Sequence, residues 1–491
     1  MTEHTIQPEI VGDLPTVAET SARAGLSGRI GTSGIVFSTV AFLAPLAAMA
    51  GTVTLVIGYG NGLGTPLAYL AMGVLLGLFS IGYMQLVRHI PRPGAFYAYI
   101  SAALGRRMGL ACSGLSLCLY LMSMVSIWAF ASVQVESLLK NAFGFDALPW
   151  WVYSLAFLAI IGVLCYRGID LSVRLVGAVV IVELAIIFIF NIATLVRGGP
   201  DGYLPESFSM SSFTSGSLPI ALLFCVCTVV GFEATAIFRE EARDPEKTIP
   251  RATYLIVGGG AIFYAFSSWC LIVAVGRGVT QASADNPAGV FTDALASIFG
   301  NTIRDWVQLL VVTSSAASGL TITNVASRYL YSLGVDRMLP RGLGQAHRRH
   351  GSPHLAVYAA TGVAVIGTMA LVAGGFGPVE IYSQSSGVDV LVFELLLFLV
   401  SLAVVVHFRR DRVPGVSVWS TVVAPVVAMI MFGLLIVFTS MNVDLLTGAP
   451  SALTPIFGGS FAVAAVIGFG YASWLAKRDR TRFERIGRAV E

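Results

Sequence analysis

The sequence predicts an all-α integral membrane protein of about twelve transmembrane helices, built as a five-plus-five inverted repeat with helices 1 and 6 broken. Three observations carry this. Of the 491 residues, 56% are hydrophobic and only 12% charged, about half the charged share of a globular domain. The apolar runs are roughly 20 residues long, enough to cross a bilayer as helices, and lack the alternation of an outer-membrane barrel. The first and sixth runs each contain residues that interrupt a helix, and the fifth and tenth echo one another.

In chain order, a polar stretch over residues 1–30 contains no signal-peptide core, so the first apolar segment is expected to stay in the protein. Spans are predicted over 34–57, 66–87, 108–135, 150–166, 171–196 and 218–238, then over 252–275, 306–333, 355–373, 386–407, 418–439 and 455–475. The turn GYGNGLG at Gly58 to Gly64 has the glycines of a phosphate loop but no strand before it, which argues against nucleotide binding. PRPGAFYAYISAALGRR, Pro91 to Arg107, is amphipathic enough to lie along the membrane face, after two prolines that close the second span. Residues 31–197 and 217–410 then form the two repeats of a transport core, with two extra helices over 411–476 and a tail over 477–491.

Orientation follows from the basic residues. Of the 30 Lys and Arg, 26 fall on one side of this topology, and only Lys140, Arg197, Arg277 and Arg304 on the other. The positive-inside rule places both termini in the cytoplasm of a multi-pass plasma-membrane protein. No basic stripe suggests nucleic acid. The six cysteines all lie in apolar runs, where reduced thiols are the default. His347, His350 and His354 sit among arginines after span eight; metal binding and a solvated basic loop are the two readings, and the second is favoured.

The stretch from Leu223 to Arg251 organises the rest. Thr228 to Phe232 weakens the sixth span with β-branched residues and Gly231, and the next residue, Glu233, is an acid at membrane depth. Such an acid must face protein or water. In the first span Pro45 cannot donate to the preceding turn, so a break is expected between Ser38 and Ala44. VELAIIF around Glu183 and FELLLFL around Glu394 place matching acids in spans five and ten. Half-helix ends that meet at mid-membrane offer N–H groups to an anion and carbonyls to a cation, a geometry that suits a zwitterion. Ser123 and Ser126 of span three are candidates to line the pocket, and Thr313, Ser314, Ser315 and Ser318 of span eight are candidate sodium ligands. Small hydroxyl residues at helix contacts are the competing reading for both sets.

Three segments also carry a family resemblance. GFEATAIFREEARDPEKTIPRA, Gly231 to Ala252, resembles the sixth-span signature of the amino acid–polyamine–organocation permeases. SRYLYSLGVDRMLPRGLGQAHRRHGSPH, Ser327 to His354, is similar to that family's loop after span eight, and Pro91 to Arg107 to its loop after span two. The resemblance covers nearly all of residues 31–410. It implies a LeuT-type fold that carries an amino acid or related amine by alternating access. It further implies that the substrate carboxylate meets amides near Ser38, Thr39 and Val40, beside Phe42. The amine would meet carbonyls near Thr228, Val229 and Val230, with Gly231 also in the substrate site and Phe232 helping to close the pocket. Glu233 matches a position at which relatives sense protons or substrate charge. Two departures stand out: the family's glycine–serine–glycine of span one is here Ser38, Thr39 and Val40, and the mid-span-five lysine of proton-coupled relatives is absent, with Glu183 in that neighbourhood.

The expected function is therefore secondary active transport of an amino acid or related amine, proton-coupled or by exchange. Glu233, Glu183, Ser314 and Ser315 are the candidate coupling residues, H+ or Na+ the candidate ion, and no other cofactor is expected. A polyamine or diamine importer and a non-transporting sensor remain alternatives. An enzyme is disfavoured, because HExxH, Gly-x-Ser-x-Gly and Walker motifs are all missing.

Overall fold

Long apolar runs close their own backbone hydrogen bonds as helices, which lipid demands. The computed structural model describes residues 31–90, 95–145, 148–167, 173–237, 242–347, 352–411, 413–441 and 451–487, and no β-strand occurs among them. Among the described residues, ten helical segments are long and apolar enough to cross a membrane. The 1–30 tail, His350 and the acids Glu240 and Glu241 lie outside the described residues.

The first apolar run folds as α1 (Thr32–Leu43), α2 (Pro45–Ala50) and α3 (Thr52–Leu55). A kinked turn through Gly58–Gly64 leads into α4 (Thr65–His89). There follow α5 (Ala95–Leu104), α6 (Arg106–Phe143), α7 (Trp150–Tyr166) and α8 (Val173–Arg197). The sixth run is split into α9 (Leu218–Cys227) and α10 (Ala234–Ile237). Then come α11 (Pro245–Val275), α12 (Val290–Phe299), α13 (Asn301–Val335), α14 (His354–Ala373) and α15 (Pro378–Asp411). Last are α16 (Ala424–Met441), α17 (Leu453–Arg478) and α18 (Arg480–Arg485).

α6 is the hub, packed along α13, α15 and α17. Lipid supplies no hydrophobic drive between helices, so close approach at small residues has to hold them. At Gly319 of α13 a Cβ would come within 2.1 Å of the Trp128 ring, which stacks on Phe157 at 5.1 Å. Large apolar side chains such as Ile189, Ile366 and Val466 face outward instead, as on a lipid-facing surface.

α5 departs from the sequence expectation. Phe96, Tyr97, Ala98, Tyr99, Ile100 and Ser101 are all buried, so the helix is sunk into the bundle against α6 and α15 rather than laid along its face. Aromatic residues on successive positions leave it no polar side. The end of the chain covers it: Ile486 is buried, Gly487 N–H donates to Tyr97 Oη at 2.6 Å, and Arg106 sits 5.7 Å over the Phe483 ring.

Tyr97 in turn donates to Asp336 Oδ2 at 3.2 Å, just beyond α13. Burial raises the Asp336 carboxyl to about 6, an effect the Tyr97 hydrogen bond only partly offsets. Folding therefore favours its protonated form. The contribution is full below the ordinary Asp range and is lost as pH rises through about 6. Asp336→Asn keeps an acceptor for Tyr97 and cannot ionise. Its thermal stability should exceed wild type by on the order of 2 kcal/mol near neutral pH and converge with it near pH 4. Parallel melting curves for the two proteins across that range would refute the assignment.

Candidate functional site

Two helix interruptions build the site. In the first, α1 stops at Ala44, a non-glycine residue in the left-handed region (φ 46°), and Pro45 opens α2. The residue before a proline is driven out of the helical region, and the proline brings no N–H, so the break is encoded here. In the second, α9 ends at Cys227 and Gly231 adopts φ 109° before α10 begins. Gly231 N–H turns to the Glu233 carboxylate and Phe232 N–H to the Val229 carbonyl, which frees the Thr228 carbonyl from the helical ladder. The two breaks touch: a Cβ on Gly231 would lie 1.7 Å from the Phe42 ring.

Between them lies a cavity of about 130 Å³. Phe42, Leu43 and Ala44 line it from the first break, and Cys227, Thr228 and Val230 from the second. α6 contributes Tyr120, Ser123 and Ser126, α13 contributes Ser318, and α15 contributes Tyr382, Ser386 and Asp389. α6 and α15 meet in antiparallel register: Ser123 Oγ donates to Asp389 Oδ2 at 2.8 Å, and Ser126 Oγ lies 3.4 Å from Ser386 Oγ. Ser318 Oγ donates to the Phe42 carbonyl at 3.0 Å and ties α13 to the first break. Tyr382 Oη lies 3.2 Å from Thr52 Oγ1 and its ring packs on Phe130, closing one part of the wall with aromatic surface.

Glu233 and Glu183 each serve a break. Glu233 is buried and accepts from Tyr120 Oη at 2.7 Å and from Gly231 N–H at 2.9 Å, so both of its oxygens are engaged. It reaches the cavity through Tyr120. Glu183 of α8 accepts from Leu46 N–H, in the first turn of α2, at 3.4 Å, and Ser314 lies beside the same carboxylate. Two acids thus meet N–H groups that the interruptions release, as the partial positive charge there favours.

The sequence candidates distribute as follows. Phe42, Thr228, Val230 and Ser126 line the cavity. Ser38, Thr39 and Val40 belong to α1, with Thr39 buried, and the break falls at Ala44, the last residue of the expected stretch. Phe232 is buried behind the cavity, its ring edge-on to Phe79 at 5.9 Å and to Phe393 at 6.3 Å. Ser315 Oγ donates to the Val311 carbonyl of its own helix, whereas Ser314 stands near Glu183. Glu394 is fully buried and neither oxygen has a hydrogen-bond partner among the described residues. His347 and His354 place their rings edge to face at 5.2 Å.

Sequence reasoning missed Asp389, Tyr120 and Tyr382. Asp389 carries a visible signal, an acid in an apolar run three residues after Ser386. The tyrosines carried none, since aromatic residues are frequent throughout the spans.

A family model described as "Amino acid permease" matches residues 35–483. Among curated proteins, a branched-chain amino acid permease of Lactococcus lactis subsp. cremoris is 24% identical over 340 residues, 66% of this chain and 70% of the relative. A low-affinity putrescine importer of Escherichia coli is 22% identical over 367 residues, 73% of this chain and 77% of the relative. A gamma-aminobutyric acid permease of Escherichia coli is 26% identical over 359 residues, 67% and 71% of the two chains.

Proposed function

The chain belongs to the amino acid permease family, and from that premise we propose that it is a secondary active transporter of an amino acid or related amine. The observation that carries the proposal is a small cavity where two interrupted helices meet, beside a Thr228 carbonyl that has left the helical ladder. Relatives of this chain are named for branched-chain amino acids, putrescine and gamma-aminobutyric acid. An amine is common to all three, which fits a carbonyl acceptor.

In this reading residues 31–197 and 217–410 are inverted repeats of a LeuT-type core, and alternating access moves the broken helices against α6, α13 and α15. The basic loops and both termini face the cytoplasm of the plasma membrane, by the charge asymmetry of the sequence. H+ is the coupling ion this site suits better, because Glu183 and Glu233 both sit at interruptions, where a change of charge alters how the half-helix ends are held.

Uptake by proteoliposomes tests this. Accumulation of a neutral, basic or acidic amino acid, or of a diamine, is expected under an imposed proton gradient. Uptake only against internally loaded substrate would make the protein an exchanger, and no uptake from a folded protein would favour a sensor. Glu183→Gln retains an oxygen for Leu46 N–H while removing the charge, so the pH optimum of uptake should shift with the folded yield preserved. A fall in yield with an unmoved optimum would make Glu183 a structural residue.

A further inference from the structure

Asp389 holds a buried carboxylate in the cavity wall with half of its hydrogen-bonding capacity unspent. The residue is 7% exposed; Oδ2 accepts from Ser123, while Oδ1 has no partner among the described residues. Among the described residues no Lys, Arg or His lines the cavity with it. An ionised carboxylate so placed costs several kcal/mol unless a positive charge comes to it. Glu233 differs, since Tyr120 and the Gly231 N–H already take both of its oxygens.

We propose that Asp389 is the subsite for a second ammonium group on the substrate, so that the transporter prefers an amine whose alkyl chain ends in another positively charged nitrogen. The inference rests on the transport reading above and sharpens its substrate class. The first amine has the free Thr228 carbonyl of the second break; the distal one has Asp389, with Ser123, Ser126 and Ser386 forming the polar strip beside it. Phe42, Leu43, Ile127 and Val390 give the same cavity apolar walls, which suit methylenes. Diamines and dibasic amino acids share this chemistry and differ in whether a carboxylate accompanies the first amine.

Lysine and norleucine differ chiefly in that terminal ammonium, so their ratio isolates the subsite. In proteoliposomes, wild-type protein should take up or bind lysine or putrescine in preference to norleucine. Asp389→Asn should lower the lysine-to-norleucine ratio by roughly tenfold or more, the value of a charge-assisted hydrogen bond. Putrescine competing as well as lysine assigns a diamine site; lysine alone assigns a dibasic amino acid. Wild-type protein that favours norleucine over both cations overturns the proposal while leaving transport intact, and requires no variant. An unchanged ratio in Asp389→Asn overturns it too, as does an equal fall in lysine and norleucine binding by the folded variant, which would make Asp389 a general structural or ion-holding residue. Wild-type protein that handles none of the three, nor any other amine or amino acid, defeats the transport reading itself.

Discussion

Gly231→Ala should lose uptake and melt well below wild type. The backbone at 231 has φ 109°, a conformation that L side chains rarely adopt, at a cost of about 1–3 kcal/mol. The added methyl would also stand 1.7 Å from two carbons of the Phe42 ring. Overpacking a filled site costs about 1–3 kcal/mol more. Together the two effects reach about 2–6 kcal/mol, beyond the roughly 1.4 kcal/mol that changes an equilibrium tenfold. Phe42 itself lines the cavity, so a clash at Gly231 is expected to disturb the proposed substrate site as well as the fold. Thermal melts and uptake by purified Gly231→Ala read both consequences. Adding Phe42→Ala should recover part of the melting temperature by removing the clash, and no more than part, since the backbone strain remains. Wild-type uptake and stability in the single variant would mean that the two breaks are not held in contact.

That contact also marks what could be read from the sequence and what could not. The interruptions were legible because each rests on local chemistry: Pro45 with no N–H, and Gly231 followed by an acid in an apolar run. The spans were legible from length and hydropathy, although α11 begins at Pro245, seven residues before the predicted start, because the charged segment after Asp244 is already helical. α5 was misplaced because amphipathicity was inferred from composition; only the packing of Tyr97 and Tyr99 against distant elements makes it a buried helix. α12 was not foreseen, being ten residues long and lying between predicted spans. Asp389 stands for the general case. Its residue type is visible, but the partner that defines it, Ser123, is 266 positions away and reaches it only through the crossing of α6 and α15.

Glu233 allows charge and scaffolding to be separated by two substitutions. Glu233→Ala removes the acceptor of two buried donors, the Gly231 N–H and the Tyr120 hydroxyl. Each orphaned group costs about 1–3 kcal/mol, and Gly231 lies in the gap between α9 and α10, where the Cys227 carbonyl already accepts from Val230 N–H. This variant should be poorly folded. Glu233→Gln is different: its amide oxygen can accept from Gly231, and its amide nitrogen can donate to the Tyr120 oxygen, since a hydroxyl accepts as well as donates. The scaffold survives and only the charge is gone. Glu233→Gln should therefore melt near wild type while its uptake falls or loses dependence on pH. If instead it transports with the wild-type pH profile, the acid serves only to hold the break open, and coupling must be sought at Glu183, whose carboxylate meets the other break.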